Sequence, residues 1–212
     1  MTVLVTVIAA LVIGFIIGRN RRHLYHFQNR GEALVSHALQ ARFVAPNYHL
    51  LNHVTLRQKG DSTQIDHVLV SRFGVFVIET KDYGGWIFGG PDDRYWTQVH
   101  FRAKHRFQNP IHQNFKHVCA IRDLLEFLPD NAVRSVVVFT GDAEFKTDVP
   151  DGVFTLASVV AYIEEHRTEV MSANRLQFCV GRLETSRLSI TKATDVEHIQ
   201  RLRRRYDSNE QE

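Results

Sequence analysis

Asp66 stands in the run QIDHVLV and Glu79 in GVFVIETK, each among residues that read as core. A carboxylate in an otherwise apolar strand is costly unless a cation or hydrogen bonds compensate it, so two of them in neighbouring runs need an explanation. If the runs form a hairpin centred between Arg72 and Phe73, residues whose numbers sum to about 145 face each other, as 66 and 79 do. Lys81 lies two positions after Glu79 and projects from the same face of its strand. Two acids and an amine then converge. Like charges that close do not both stay ionised in a partly dry site without a counter-charge, and a divalent cation is the usual one. Oxygen ligands with open positions suit Mg²⁺ (or Mn²⁺), which binds through one or two carboxylates plus a substrate phosphate. With Asp66 and Glu79 as metal ligands, and Lys81 orienting or helping to deprotonate the attacking water, the reaction class is metal-assisted phosphodiester hydrolysis. The competing reading is a cross-strand ion pair of Asp66 and Lys81 at a sheet edge, with Glu79 solvated.

The elements that must position these residues follow from periodicity. Val35, Leu39 and Phe43 recur at helical spacing and predict a helix over Glu32–Phe43, stopped before Pro46. His49–Leu56 reads as a strand, and QIDHVLVS and GVFVIET as two strands of a hairpin joined through Arg72-Phe73-Gly74. Gly84-Gly85 and the run Gly89 to Asp93 punctuate a second, short hairpin carrying Trp86 and Trp96. Asn109-Pro110 is the chemistry of a helix start, and Ile111, Phe115, Val118, Leu125 and Leu128 supply that helix with an apolar stripe ending before Pro129. Ser135–Thr140 is the continuous apolar run of a strand buried on both faces. A short strand over Gly152–Thr155 and helices around Ser158–His166, Ala173–Leu183 and Thr194–Arg205 complete the chain. The order helix, three strands, helix, strand suits an α/β domain with an α+β mixed sheet.

Two more polar residues fall where they are unexpected. Glu32 is in helical phase with Val35, Leu39 and Phe43, on the buried stripe of the first helix. Gln113 lies off the main apolar line of the helix after Pro110, where its side chain can reach the sheet. The set Gly31-Glu32, Gln64-Ile65-Asp66-His67, Gly74 to Lys81, Gly84, Trp96 and Asn109 to Asn114 resembles the nuclease-related domain, NERD, a family similar to the PD-(D/E)XK restriction-endonuclease-like nucleases. Ile65 stands where the superfamily motif has Pro. The resemblance covers roughly residues 30–140. It implies a restriction-endonuclease-like core, a metal site at Asp66 and Glu79, Lys81 in the catalytic-lysine position, and Glu32 and Gln113 as accessory site residues.

Between Arg94 and Phe107 the cations Arg94, Arg102, Lys104 and Arg106 interleave with Tyr95, Trp96, Phe101 and Phe107, a mixture that contacts phosphates and stacks on bases. An ordinary solvated loop with core-anchoring aromatics is the equal alternative. Arg201, Arg203, Arg204 and Arg205 read as a solvated helix end or a contact with anionic lipid. The twelve histidines form no HExxH and the two cysteines no CxxC, and there is neither a phosphate-cradling glycine loop nor GxSxG. His67, by strand alternation, points away from Asp66 and reads as structural.

The first eighteen residues hold an uncharged run, Val3–Ile17, that at about 1.5 Å per residue matches a thin bilayer. Arg19, Arg21 and Arg22 follow it, which predicts a retained anchor with its N-terminus outside and the globular domain on the cytoplasmic side. The expected organisation is a transmembrane anchor at 1–18, a basic juxtamembrane linker at 19–30, the nuclease-like core at 31–140 and a helical C-terminal extension at 141–212. Formal net charge is +3, and those three arginines account for all of it, so affinity for DNA or RNA must come from local patches. The expected function is a membrane-anchored, metal-dependent nuclease; the alternative is a non-catalytic module that binds nucleic acid or protein at the cytoplasmic membrane face.

Overall fold

The computed structural model describes residues 29–58 and 61–189. The expected anchor at 1–18, the basic linker up to residue 28 and the helix expected over Thr194–Arg205 lie outside the described residues. Among the described residues no helix is long and apolar enough to cross a membrane.

Helix α1 (Arg30–Arg42) starts at Asn29, whose side chain accepts from the Glu32 N–H. Strands β1 (Tyr48–Gln58), β2 (Asp61–Ser71) and β3 (Gly74–Lys81) follow, then β4 (Gly85–Phe88), β5 (Tyr95–His100) and β6 (Ala103–Gln108). Helix α2 (Pro110–Leu124) leads to β7 (Val133–Phe139), β8 (Ala143–Phe145), β9 (Val153–Thr155), α3 (Leu156–Glu165) and α4 (Ala173–Ser186). The strands form two mixed sheets, one in the order β1-β2-β3-β7-β9 and one in the order β6-β5-β4-β8. The expected short hairpin is thus half of a second sheet, completed by β6 and by β8, which joins β4 in parallel. Residues past 140 supply strands to both sheets as well as helices.

Alternation along the central strands sorts the core into two halves. Val68, Val70, Val75 and Val77 face Val118 and Ile121 of α2 and Leu176, Cys179 and Leu183 of α4. Leu69, Phe76 and Ile78 face Val35 and Leu39 of α1 and Val159 and Ile163 of α3. Helices therefore cover both faces of the first sheet, which is why β3 and β7 are near-continuous β-branched runs. The inner face of the second sheet packs Ile87, Trp96 and Phe107 against Val137, Phe139 and Val153.

Helix α2 departs from the expected stripe. It ends at Leu124, and Phe115 is 60% exposed, while Asn114 and His117 turn to the sheet. The Asn114 amide donates to Val77 O (2.9 Å), Ser135 Oγ (2.8 Å) and Val136 O (3.1 Å), so a polar side chain holds β3 and β7 to the helix where an apolar one would only touch them. Gly31 allows the close approach at the other helix. A Cβ there would lie 2.6 Å from Thr140 Oγ1 and 2.7 Å from Asp82 Cβ, so its absence lets the start of α1 rest on the ends of β3 and β7.

Candidate active site at a fork between two strands

The β2–β3 ladder runs from Ser71↔Gly74 to His67↔Ile78 and stops there. Beyond it β2 continues paired with β1, and β3 continues paired with β7. The register is the one expected, so Asp66 and Glu79 occupy the first positions of the fork. Parting the strands leaves the Thr80 N–H without a ladder partner, and Asp66 Oδ2 accepts it at 2.7 Å. Across β1 the matching position is His53, whose φ of 51° takes it out of strand conformation between the pairs Asn52↔His67 and Val54↔Ile65. Its Nε2 lies 3.3 Å from Glu32 Oε2. A left-handed conformation at a non-glycine residue beside such a cluster is the kind of strain that functional sites retain.

Glu79 is held from two sides. Its Oε1 accepts from Lys81 Nζ at 2.7 Å, and His117 Nε2 lies 3.2 Å from Oε2. His117 Nδ1 in turn meets Thr63 Oγ1 at 2.7 Å. Lys81 Nζ also donates to Gln113 Oε1 at 3.0 Å. Asp66, Glu79, Lys81 and Gln113 are therefore gathered on the α2 side of the first sheet, and Glu32 approaches from α1, where Asn29 donates to its Oε1. His67 turns the opposite way, as alternation predicts. It is fully buried, with Nδ1 2.8 Å from Asn52 Oδ1, and Asn52 donates to Ser36 Oγ of α1 at 2.9 Å.

The three acids are not shifted in one direction. Burial, then the charge of Glu79, pushes the Glu32 carboxyl from 4.5 up to about 7. Burial and the charges of Glu79 and Glu32 drive Asp66 well above its ordinary value, against the lowering effect of the Thr80 N–H. Burial also works to raise Glu79, but the His117 hydrogen bond and the Lys81 ammonium outweigh it and hold the carboxyl below its ordinary value. For Lys81 burial opposes the charge, yet the adjoining Glu79 carboxylate more than offsets this and raises the pKa. Lys81 Nζ in this arrangement is a hydrogen-bond donor to both Glu79 and Gln113. His67 is lowered to about 3 by burial and by His53, so it stays neutral and structural.

Glu32 Oε2 is buried and receives no hydrogen bond. Three acids set against the Lys81 ammonium crowd negative charge into the site, and burial raises both Glu32 and Asp66. This donor set is all oxygen and fits a hard divalent cation that takes one or two carboxylates and completes its shell with water. Among the described residues no group of three His, Cys, Asp or Glu side chains converges to hold a metal ion, so the fit is to an open site and not to a closed cage.

The basic-aromatic segment expected to meet nucleic acid is the β5–β6 hairpin. Arg94, Arg102, Lys104 and Arg106 are exposed on it. Trp96 is a correction: it is fully buried, stacks on Phe139 with ring centroids 6.1 Å apart, and donates from its indole to Gly90 O, so it anchors the sheet and presents no face to a base. Asn109 caps α2 through the Ile111 N–H and also donates to the carbonyls of Gly90, Pro91 and Asp93, tying this sheet to the start of the helix. His117, Asn114, His53 and Asn29 were not expected at the site. A signal for the first two was present, because 110, 114, 117 and 121 form one helical line beside Gln113.

An uncharacterized protein of Bacillus anthracis is 44% identical to this chain over 108 residues, which make up 50% of each of the two proteins. The chain thus spans about half the length of that relative. No solved structure matches it. The nuclease-related domain, NERD, matches residues 28–140, a stretch that contains Glu32, Asp66, Glu79, Lys81 and Gln113, and the chain belongs to this family.

Proposed function

We propose that the protein is a nuclease that hydrolyses phosphodiester bonds of DNA or RNA with a divalent cation, Mg²⁺ or Mn²⁺, held by Asp66 and Glu79. The observation that carries this is the fork itself: two buried carboxylates and a lysine meet where β2 and β3 part. A bound cation would supply Lewis-acid polarisation of the phosphate and activation of water at neutral pH. The chain's own residues do the rest. Two N–H donors of Lys81 are directed at Glu79 and Gln113, and its third would serve a non-bridging phosphate oxygen and stabilise charge as it develops there. Gln113 and His117 fix the lysine and the carboxylate in place, and Glu32 holds or releases a proton near pH 7 at the rim of the site.

The same reading places the domain at the cytoplasmic face of a membrane, anchored through residues 1–18. Support for this is the uncharged run Val3–Ile17 with Arg19, Arg21 and Arg22 behind it.

The full chain, purified from the membrane fraction in detergent, should degrade nucleic acid with Mg²⁺ or Mn²⁺ and not in chelator. Asp66→Ala and Lys81→Ala should each abolish cleavage, and deletion of residues 1–18 should move the protein to the soluble fraction. Equal cleavage by the native chain and both variants refutes the assignment. Nucleic-acid binding with no cation-dependent cleavage by the native chain would make this a binding module instead.

A further inference from the structure

The outer face of the second sheet carries a pattern that the residues at the fork do not use. Ile87, Trp96 and Phe107 turn inward, so alternation places Trp86 and Phe88 of β4, Tyr95 of β5, and Lys104 and Arg106 of β6 on the opposite side. The register arranges them in rows. Trp86 lies beside Val99, which lies beside Lys104, and Phe88 lies beside Thr97, which lies beside Arg106. Trp86 is 50% exposed, Phe88 37% and Tyr95 38%. Cations already sit on two of these rings: Arg94 and Arg106 lie 5.4 and 4.9 Å from the centre of Tyr95, and Lys146 lies 4.9 Å from that of Trp86. Glu144, beside Trp86 across the β4–β8 pair, is ion-paired with Lys146.

We propose that this face is a stacking platform for single-stranded nucleic acid; the idea rests on the nuclease reading above for its substrate class. An unpaired base offers a π-face to an exposed ring, and its phosphates meet the flanking lysine and arginines; a duplex hides those faces in its own stack. The rows interleave rings with polar groups, so Thr97 sits between Phe88 and Arg106 where a base edge needs a hydrogen-bond partner. A face built to enter lipid would not carry a hydroxyl and a guanidinium in its middle rows. The sheet also begins close in sequence to the residues at the fork. Gly85 is four positions after Lys81, at most about 14 Å along an extended chain.

The test is fluorescence anisotropy of a labelled oligothymidylate with the full chain in detergent and chelator, so that binding is read without cleavage. The native chain should bind the single strand more tightly than the same strand annealed to its complement. Trp86→Ala and Tyr95→Ala should each weaken binding about tenfold, and Trp86→Phe by less. Replacing both Lys104 and Arg106 with Ala should lower the slope of log affinity against log salt by about 1.4. Unchanged affinity in Trp86→Ala and Tyr95→Ala, or duplex binding as tight as single-strand binding, overturns the proposal and leaves the face to another partner. The two readings fail separately. If Asp66→Ala abolishes cleavage while the Trp86 and Tyr95 variants bind and cut like the native chain, the platform fails and the nuclease stands. If those variants lose single-strand binding and the native chain never cuts, the nuclease fails and the platform stands.

Discussion

Glu32→Gln isolates the electrostatic cost of assembling the site. The native carboxyl titrates at about 7 in the folded protein and near 4.5 when exposed. Between those values the folded chain holds a proton that the unfolded chain has released. Stability therefore falls as pH rises through that window, because the folded state is the one that binds more protons. At about 1.4 kcal/mol per pKa unit the full interval is worth about 3 kcal/mol, and the solvent contact that Glu32 retains brings this to about 2 kcal/mol. Gln has no proton to lose and still offers an oxygen to Asn29. The variant should match the native chain within about 0.5 kcal/mol near pH 4 and exceed it by about 2 kcal/mol near pH 8. Asp66 moves in the same direction, since removing Glu32 takes away one of the charges that raise it. Urea denaturation at stepped pH, followed by fluorescence of the buried Trp96, measures the difference, with a constant m-value as the check on two-state behaviour. A difference that is flat with pH, or that grows as pH falls, refutes the reasoning. Saturating Mg²⁺ should shrink the native chain's pH dependence, because a cation at the acids favours their ionised forms.

His117→Ala removes the hydrogen bond that does most to lower Glu79, and it also leaves Thr63 Oγ1 without that partner. The Glu79 pKa should rise, moving the acidic limb of the pH–rate profile upward, and stability should fall by about 1–3 kcal/mol, read by thermal melting. Asn109→Ala takes away the α2 cap and the donors to Gly90, Pro91 and Asp93 together. It should cost about 2–3 kcal/mol in urea denaturation and loosen the packing around Trp96, seen as a red shift of its emission.

Asp66 and Glu79 were legible because a hairpin with a two-residue turn has one register, and once the turn is placed every facing pair follows from it. What the pattern of the two runs does not carry is where the pairing ends. The site depends on that ending, since the parted strands free the Thr80 N–H for Asp66 and make room for a ligand. His53 was illegible for a related reason: a histidine in a left-handed conformation has no mark in the sequence, although it sits inside β1 between the paired residues Asn52 and Val54. The hidden line of α2 is different. Asn114 and His117 share a phase that could be read, but Phe115 appeared to claim the inward face by hydrophobicity alone, and the sheet instead needed donors to the Val77 and Val136 carbonyls and a partner for Glu79. The two tryptophans show how far composition misleads when register is unknown. Trp86 and Trp96 look alike in a basic-aromatic stretch, yet Trp96 pairs with buried Phe107 and turns inward, while Trp86 pairs with Val99 and turns outward. Trp96 thus belongs to the core, and the exposed ring of the pair is Trp86, on the neighbouring strand.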